Sequence, residues 1–251
     1  MPQALILAFF GGLVVGSFVT VVGYRVPRGE SILGPRSRCT TCGEQIAAYD
    51  NVPVFSWVLL RGRSRCCGDR ISARYPLTEL TLGGLYLLTV AVLWGDVTEV
   101  LLGLVFVTTL LAVTLTDLDR RVIPNKVLLV AVVAGLAIVA VGDPSSLPER
   151  WIAAAAAGGA LFLVALAYPK GMGLGDVKLA AVMGLFLGRN VAPALLVALL
   201  AGSVVGLAMI AREGVAARKR AIPFGPFLAL GGVIGLLAGD QLVDWYLSTF
   251  S

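Results

Sequence analysis

Long apolar stretches follow one another along this chain, each closed by a short segment where charges, glycine and proline collect. The first, from Ala4 to Tyr24, contains no charged residue. About 20 such residues, coiled as an α-helix, span the ~30 Å hydrocarbon core of a bilayer. A helix also satisfies its own backbone polar groups there, where no water can do so. Only 14% of the chain is charged and 58% is hydrophobic, whereas soluble domains carry about 25% charged residues. That much apolar surface does not fit inside one water-soluble core, so the composition points to an all-α polytopic membrane protein. Ala4–Tyr24 lacks a basic segment before it and a small-x-small cleavage site after it, and reads as a retained helix, not a signal peptide.

Hydropathy places eight spans, at 4–24, 77–95, 98–116, 127–142, 151–169, 177–188, 191–211 and 222–243. Residues 1–24 form the first helix, 25–76 a loop domain rich in Arg and Cys, and 77–251 a transmembrane core. Eighteen of the 20 basic residues fall in alternate loops, at 25–76, 117–126, 169–178 and 212–220. The opposite loops hold Arg150 and Arg189 beside Asp96, Glu99, Asp143 and Glu149. Basic loops stay in the cytoplasm, so both termini are expected outside. The net charge of +5 then reflects topology and calls for no nucleic acid. Glycines four apart (Gly12 and Gly16; Gly184 and Gly188; Gly202 and Gly206; Gly231, Gly235 and Gly239) suggest close helix packing.

Two aspartates sit at ends of apolar runs, where a carboxylate is costly and seldom idle. Asp117 closes the third span and Asp176 opens the sixth, so charge bias puts both at the cytoplasmic face. Successive helix residues turn about 100°, which sends Asp117 and Asp119 to nearly opposite sides. Asp119 reads as interfacial, beside Arg120 and Arg121, with Pro124 starting a new segment. Gly171, Gly173 and Gly175 before Asp176 make a backbone with no side-chain shield, open to close approach by an extended substrate. The plainer readings are a solvated turn at Asp117 and a helix cap at Asp176. The chain has no His, which removes the commonest general base. Two facing carboxylates sharing one proton need none. A proton-coupled transporter could use the same pair, although transport sites usually lie near the midplane. A scaffold docking anionic lipid through its Arg-rich loop is a third reading, with no basic run denser than Arg218-Lys219-Arg220.

All four cysteines lie in the first loop. Cytosolic thiols stay reduced. Cys39-Thr40-Thr41-Cys42-Gly43 has the spacing of half a zinc site, whereas Cys66 and Cys67 are adjacent and irregular. The loop is either a metal site or a set of unpaired thiols.

In their order along the chain, these motifs resemble the type IV prepilin peptidases, membrane aspartic peptidases with a G-x-G-D motif. The resemblance runs through Gly16-Ser17-Phe18, Tyr24-Arg25-Val26-Pro27, Asn51-Val52-Pro53 and Arg61-Gly62-Arg63. It continues through Arg74-Tyr75-Pro76-Leu77-Thr78-Glu79, Asp117 to Ile123-Pro124, Gly173-Leu174-Gly175-Asp176 with Lys178, and Ile222-Pro223-Phe224-Gly225-Pro226. It implies that Asp117 and Asp176 cleave the basic leader of type IV pilin-like precursors at the cytoplasmic side of the inner membrane. It names Gly173, Gly175, Lys178 and Pro124 as supporting motif residues. Many bacterial members also N-methylate the new amino terminus with S-adenosylmethionine, an activity that goes with the cysteine-bearing loop. The family's usual second Cys-x-x-Cys falls here on Ser64 and Cys67, with Cys66 additional, so the implied Zn²⁺ set is Cys39, Cys42, Cys67 and Cys66. Partners would be the precursor and the bilayer. Glu30, Glu44, Asp50, Asp69 and Glu79 are candidate contacts for a basic leader.

Overall fold

Helices form on the apolar stretches and stop where the sequence changes character. The computed structural model describes residues 1–251 apart from Pro35, Lys170, 215–221 and Ser251. The basic run Arg218–Arg220 and Lys170 thus lie outside the described residues. Helix α1 (Pro2–Arg25) opens on proline, whose missing N–H is no loss at a helix start. A one-turn helix, α2 (Phe55–Leu59), lies in the cysteine-bearing segment, and α3 (Arg74–Val92) follows it. Asp96 caps α4 (Val97–Arg120) by accepting the Glu99 N–H at 3.0 Å, and Arg121 closes it in the left-handed conformation at φ 53°. Pro124 introduces α5 (Asn125–Gly142), and α6 (Leu147–Ala167) carries proline in its first turn. Then come α7 (Leu174–Leu187), α8 (Val191–Glu213) and α9 (Gly225–Phe250). The described residues contain no strand, only isolated bridges at Arg38–Gln45 and Arg63–Arg70. The fold is that of an all-α polytopic membrane protein.

Each of the eight expected spans falls on one long helix. Among the described residues seven segments are long and apolar enough to cross a membrane, because Leu174–Glu213 is one run of 40 residues holding both α7 and α8. Packing shows that this run doubles back. Gly184 faces Ala153 and Ala154 while Gly158 faces Ala181, so α6 and α7 are antiparallel. Gly239 faces Asn190, Gly231 faces Ala194 and Ala198, and Gly202 faces Phe224, so α8 and α9 are antiparallel too. Gly232 meets Met183 and Gly235 meets Leu187, which sets α7 and α9 parallel. The reversal occurs at Gly188, whose φ of 54° and ψ of −134° suit glycine alone. Helix α7 has 14 residues, about 21 Å at 1.5 Å per residue, shorter than the ~30 Å hydrocarbon core of a bilayer.

The chain divides into two compact units, Met1–Ala91 and Val92–Ser251. In the first, α1 lies directly on α3. A Cβ on Gly12 would fall 2.7 Å from Gly83 Cα, and one on Gly16 would fall 2.8 Å from Glu79 Cα. The second unit is built on a buried cluster that includes Leu102, Phe106, Leu110, Leu179, Met183 and Leu228, with Phe106 stacked on Phe186 at 5.2 Å. The glycine spacing marks these contacts with two exceptions. Gly188 makes the turn instead of a packing face, and Gly206 looks onto open space.

Candidate active site

Asp117 lies in the last turn of α4 and is only 5% exposed. Asp119, two positions on, is exposed, as the helical angle requires. The left-handed Arg121 donates its N–H to Asp117 C=O at 2.8 Å and ends the helix there. The Asp117 carboxylate takes one hydrogen bond from another helix: the N–H of Gly225, first residue of α9, reaches Oδ2 at 2.8 Å.

Asp176 occupies the first turn of α7. Its carboxylate accepts the Gly173 N–H at 3.2 Å, so the acid caps its own helix and sits at the positive end of the dipole. Gly173 and Gly175 serve different needs. Gly173 supplies that N–H, whereas Gly175 lets α7 lie against the α4–α5 connection, since a Cβ there would be 3.1 Å from Ile123 Cβ. Lys178 Nζ donates to Asn125 Oδ1 at 3.1 Å, joining α7 to the start of α5. Pro124 provides the carbonyl that receives the N–H groups of Val127 and Leu128 at 3.1 and 3.3 Å. One end of the second unit thus gathers the last turn of α4 and the first turns of α5, α7 and α9. The two aspartates are near enough there for the charge of Asp117 to bear on Asp176.

Known proteins match this chain along nearly its whole length. A family model described as the bacterial peptidase A24 N-terminal domain matches residues 10–93, and that of the type IV leader peptidase family matches residues 104–211. The chain is 35% identical to a prepilin leader peptidase/N-methyltransferase of Aeromonas hydrophila, over 97% of this chain and 94% of the relative. It is 33% identical to the protein of that name from Bacillus subtilis (strain 168), over 97% of this chain and 98% of the relative. The corresponding protein of Pseudomonas putida is 36% identical, over 94% of this chain and 91% of the relative. The chain belongs to the type IV leader peptidase family. No solved structure matches it.

The cysteine-bearing segment of this family member forms two turns of the same design. In the first, Cys39 N–H donates to Glu44 C=O at 2.8 Å, Gly43 N–H donates to Cys39 C=O at 3.0 Å, and Gly43 is left-handed. In the second, Ser64 N–H donates to Asp69 C=O at 2.8 Å, Gly68 N–H donates to Ser64 C=O at 2.9 Å, and Gly68 is left-handed. Ser64 therefore stands where Cys39 stands, and Cys67 where Cys42 stands. Cys66 makes good the missing thiol from inside the second turn. All four sulfurs lie within 4.8 Å of one another. Cys42–Cys66, Cys39–Cys67 and Cys66–Cys67 are separated by 3.2, 3.6 and 4.0 Å. A tetrahedral zinc with ~2.3 Å bonds needs sulfurs about 3.8 Å apart, so the set suits that ion. Backbone N–H groups of Cys42 and Thr41 bring the Cys39 thiol down to about 6. The contact with Cys42 sulfur, then burial, pushes Cys66 up to about 12.

Three of the five acids considered for leader binding have structural partners. Asp50 is gripped by Arg65 in two bonds of 2.8 and 2.9 Å, which holds its carboxyl below the usual range. Asp69 accepts from the Thr41 hydroxyl and, at 2.8 Å, from Arg70 N–H. Glu79 is buried and accepts the N–H of Val54, a β-branched residue at φ 62°, at 2.8 Å. Glu30 and Glu44 are exposed. Sequence reasoning missed the far end of the second unit. Arg150, read there as a loop charge, is buried. It binds Glu99, Ser146 Oγ at 3.0 Å and the α7 carbonyl of Phe186 at 2.8 Å. Its position in the first turn of α6, facing the end of a short helix, was the available signal.

Proposed function

We propose that this chain is a prepilin peptidase in which Asp117 and Asp176 form the catalytic carboxylate pair. The observation that carries the reading is their convergence at one end of the second unit, each beside a helix amino terminus. One carboxylate takes a proton from water while the other gives its own proton to the scissile carbonyl. The proton taken from water then passes to the leaving amine as the intermediate collapses, and the acid regains its proton from the hydroxyl that becomes the new carboxyl. Sharing one proton between them avoids two adjacent charges away from bulk water. Gly173 and Gly175 keep the approach to Asp176 clear, while Lys178 and Pro124 hold the flanking elements. The substrate is a type IV pilin-like precursor with a basic leader and an apolar helix. The loop charges support a position of this end on the cytoplasmic side of the inner membrane, with residues 25–76 as a cytoplasmic loop domain and residues 77–251 as the transmembrane peptidase core.

The names of the relatives support a second activity, methylation of the new amino terminus with S-adenosylmethionine as methyl donor. In the first unit, a cleft of about 530 Å³ lined by Trp57, Arg61, Arg63 and Arg70 offers that cofactor an indole and guanidiniums, with no acid in its lining for the sulfonium. The indole can stack on adenine and the guanidiniums can pair with a carboxylate. Zn²⁺ on Cys39, Cys42, Cys66 and Cys67 would tie the two turns together as a structural site.

The test is co-expression of a pilin-like precursor with wild type, Asp117→Asn and Asp176→Asn, followed by mass measurement of the precursor. Wild type should remove the leader, and each variant should accumulate in the membrane yet leave the precursor intact. Normal cleavage by both variants would refute the assignment. The same spectra report methylation as a gain of about 14 Da.

A further inference from the structure

We propose that the backbone N–H of Gly225 is a positioning donor that fixes the Asp117 carboxylate for the reaction, and that this contact is why the position is glycine. The inference rests on the peptidase reading above and adds a residue to it. The first N–H groups of a helix have no partner within the helix. At the start of α9, Pro226 has no N–H. The N–H groups of Phe227 and Leu228 turn back to Phe224 C=O at 3.0 and 3.2 Å. Gly225 is thus the only donor in the first two positions, and it is directed at Asp117 Oδ2 at 2.8 Å in a buried contact. The positive end of the α9 dipole points the same way.

The backbone at 225 does not require glycine, because its φ lies outside the left-handed region. The space does. A Cβ there would lie 2.7 Å from Asp117 Oδ2, 3.1 Å from its Cγ and 3.2 Å from its Cβ. Any side chain at 225 therefore strikes the catalytic carboxylate itself. Among the described residues no other hydrogen bond to this carboxylate is seen, so pinning Oδ2 leaves Oδ1 to meet water. Among the described residues, the charges that bear on Asp117 are Asp176 on α7 and Arg121 at the end of its own helix. Neither fixes which oxygen points outward; the α9 N–H does.

The experiment compares full-length wild type, Gly225→Ala, a backbone ester at 225 and Gly206→Ala, all purified in detergent and assayed on one precursor. The ester, made by incorporating glycolic acid, removes the donor without adding an atom that clashes. Gly206→Ala serves as control, since a Cβ there meets nothing within 4 Å. Loss of a hydrogen bond to a charged group predicts a fall in kcat of about 10- to 100-fold for the ester, with KM within about twofold. The acid limb of the ester's rate profile should move to higher pH, because the ionised carboxylate has lost a donor. A purely structural role would lower the plateau and leave the limb in place. Wild-type kcat and pH limb in the ester variant would overturn the proposal. A wild-type protein that fails to cut would instead refute the peptidase reading itself.

Discussion

Cys66 occupies a place in the chain that metal-site spacing would not select, yet its sulfur completes the cluster. Ser64 holds the geometric position of the missing ligand, and its hydroxyl lies 3.1 Å from Cys67 sulfur. Cys66→Ala should therefore abolish stoichiometric zinc, measured by elemental analysis of protein purified under reducing conditions. Adding Ser64→Cys to that variant should restore it, because the second turn already matches the first. Zinc retained by Cys66→Ala alone would show that Cys66 is not a ligand. At Asp117 the relevant contact is equally local, a single N–H from Gly225.

Helix α7 is anchored at both ends. Asp176 and Lys178 secure the first turn, and Arg150 fills the space below the last, satisfying carbonyls that a helix ending inside the protein would otherwise leave bare. Arg150→Met removes that partner and strands Glu99. Because Glu99 is one-third exposed, the main loss is the partner of the buried α7 carbonyl, about 1–3 kcal/mol, and a melt in detergent should show it as a lowered Tm. An unchanged melt would mean that α7 draws its stability from packing alone. Small residues matter for the same helix. Gly184 touches the α6 backbone at Ala153 and Ala154, so the close approach of α6 and α7 depends on it.

For the whole molecule, the structure turns a 40-residue apolar run into two helices and so restores the alternation that loop charge implies. Placing the aspartate end in the cytoplasm has a direct check. A fluorescent reporter that folds only in the cytoplasm should glow when fused after Arg121 or Glu213 and stay dark when fused after Asp143. The reverse pattern would invert the molecule and move the proposed site to the other face.

Much of this organisation was legible in the sequence because it follows from local chemistry. The apolar stretches fix which residues become helices, since lipid leaves the backbone no other partner. Loop charge and the angle between Asp117 and Asp119 indicate which acid faces inward and at which end. Partners distant along the chain could not be read this way. Gly225 lies 108 residues from Asp117. Glu99 and Arg150 looked like solvated loop charges until packing buried Arg150. Cys66 looked surplus until two turns closed on each other. Composition and spacing by themselves determined the helices and the aspartates at their ends. Tertiary structure alone decided what those aspartates and cysteines touch, because such contacts depend on how closely backbones can approach.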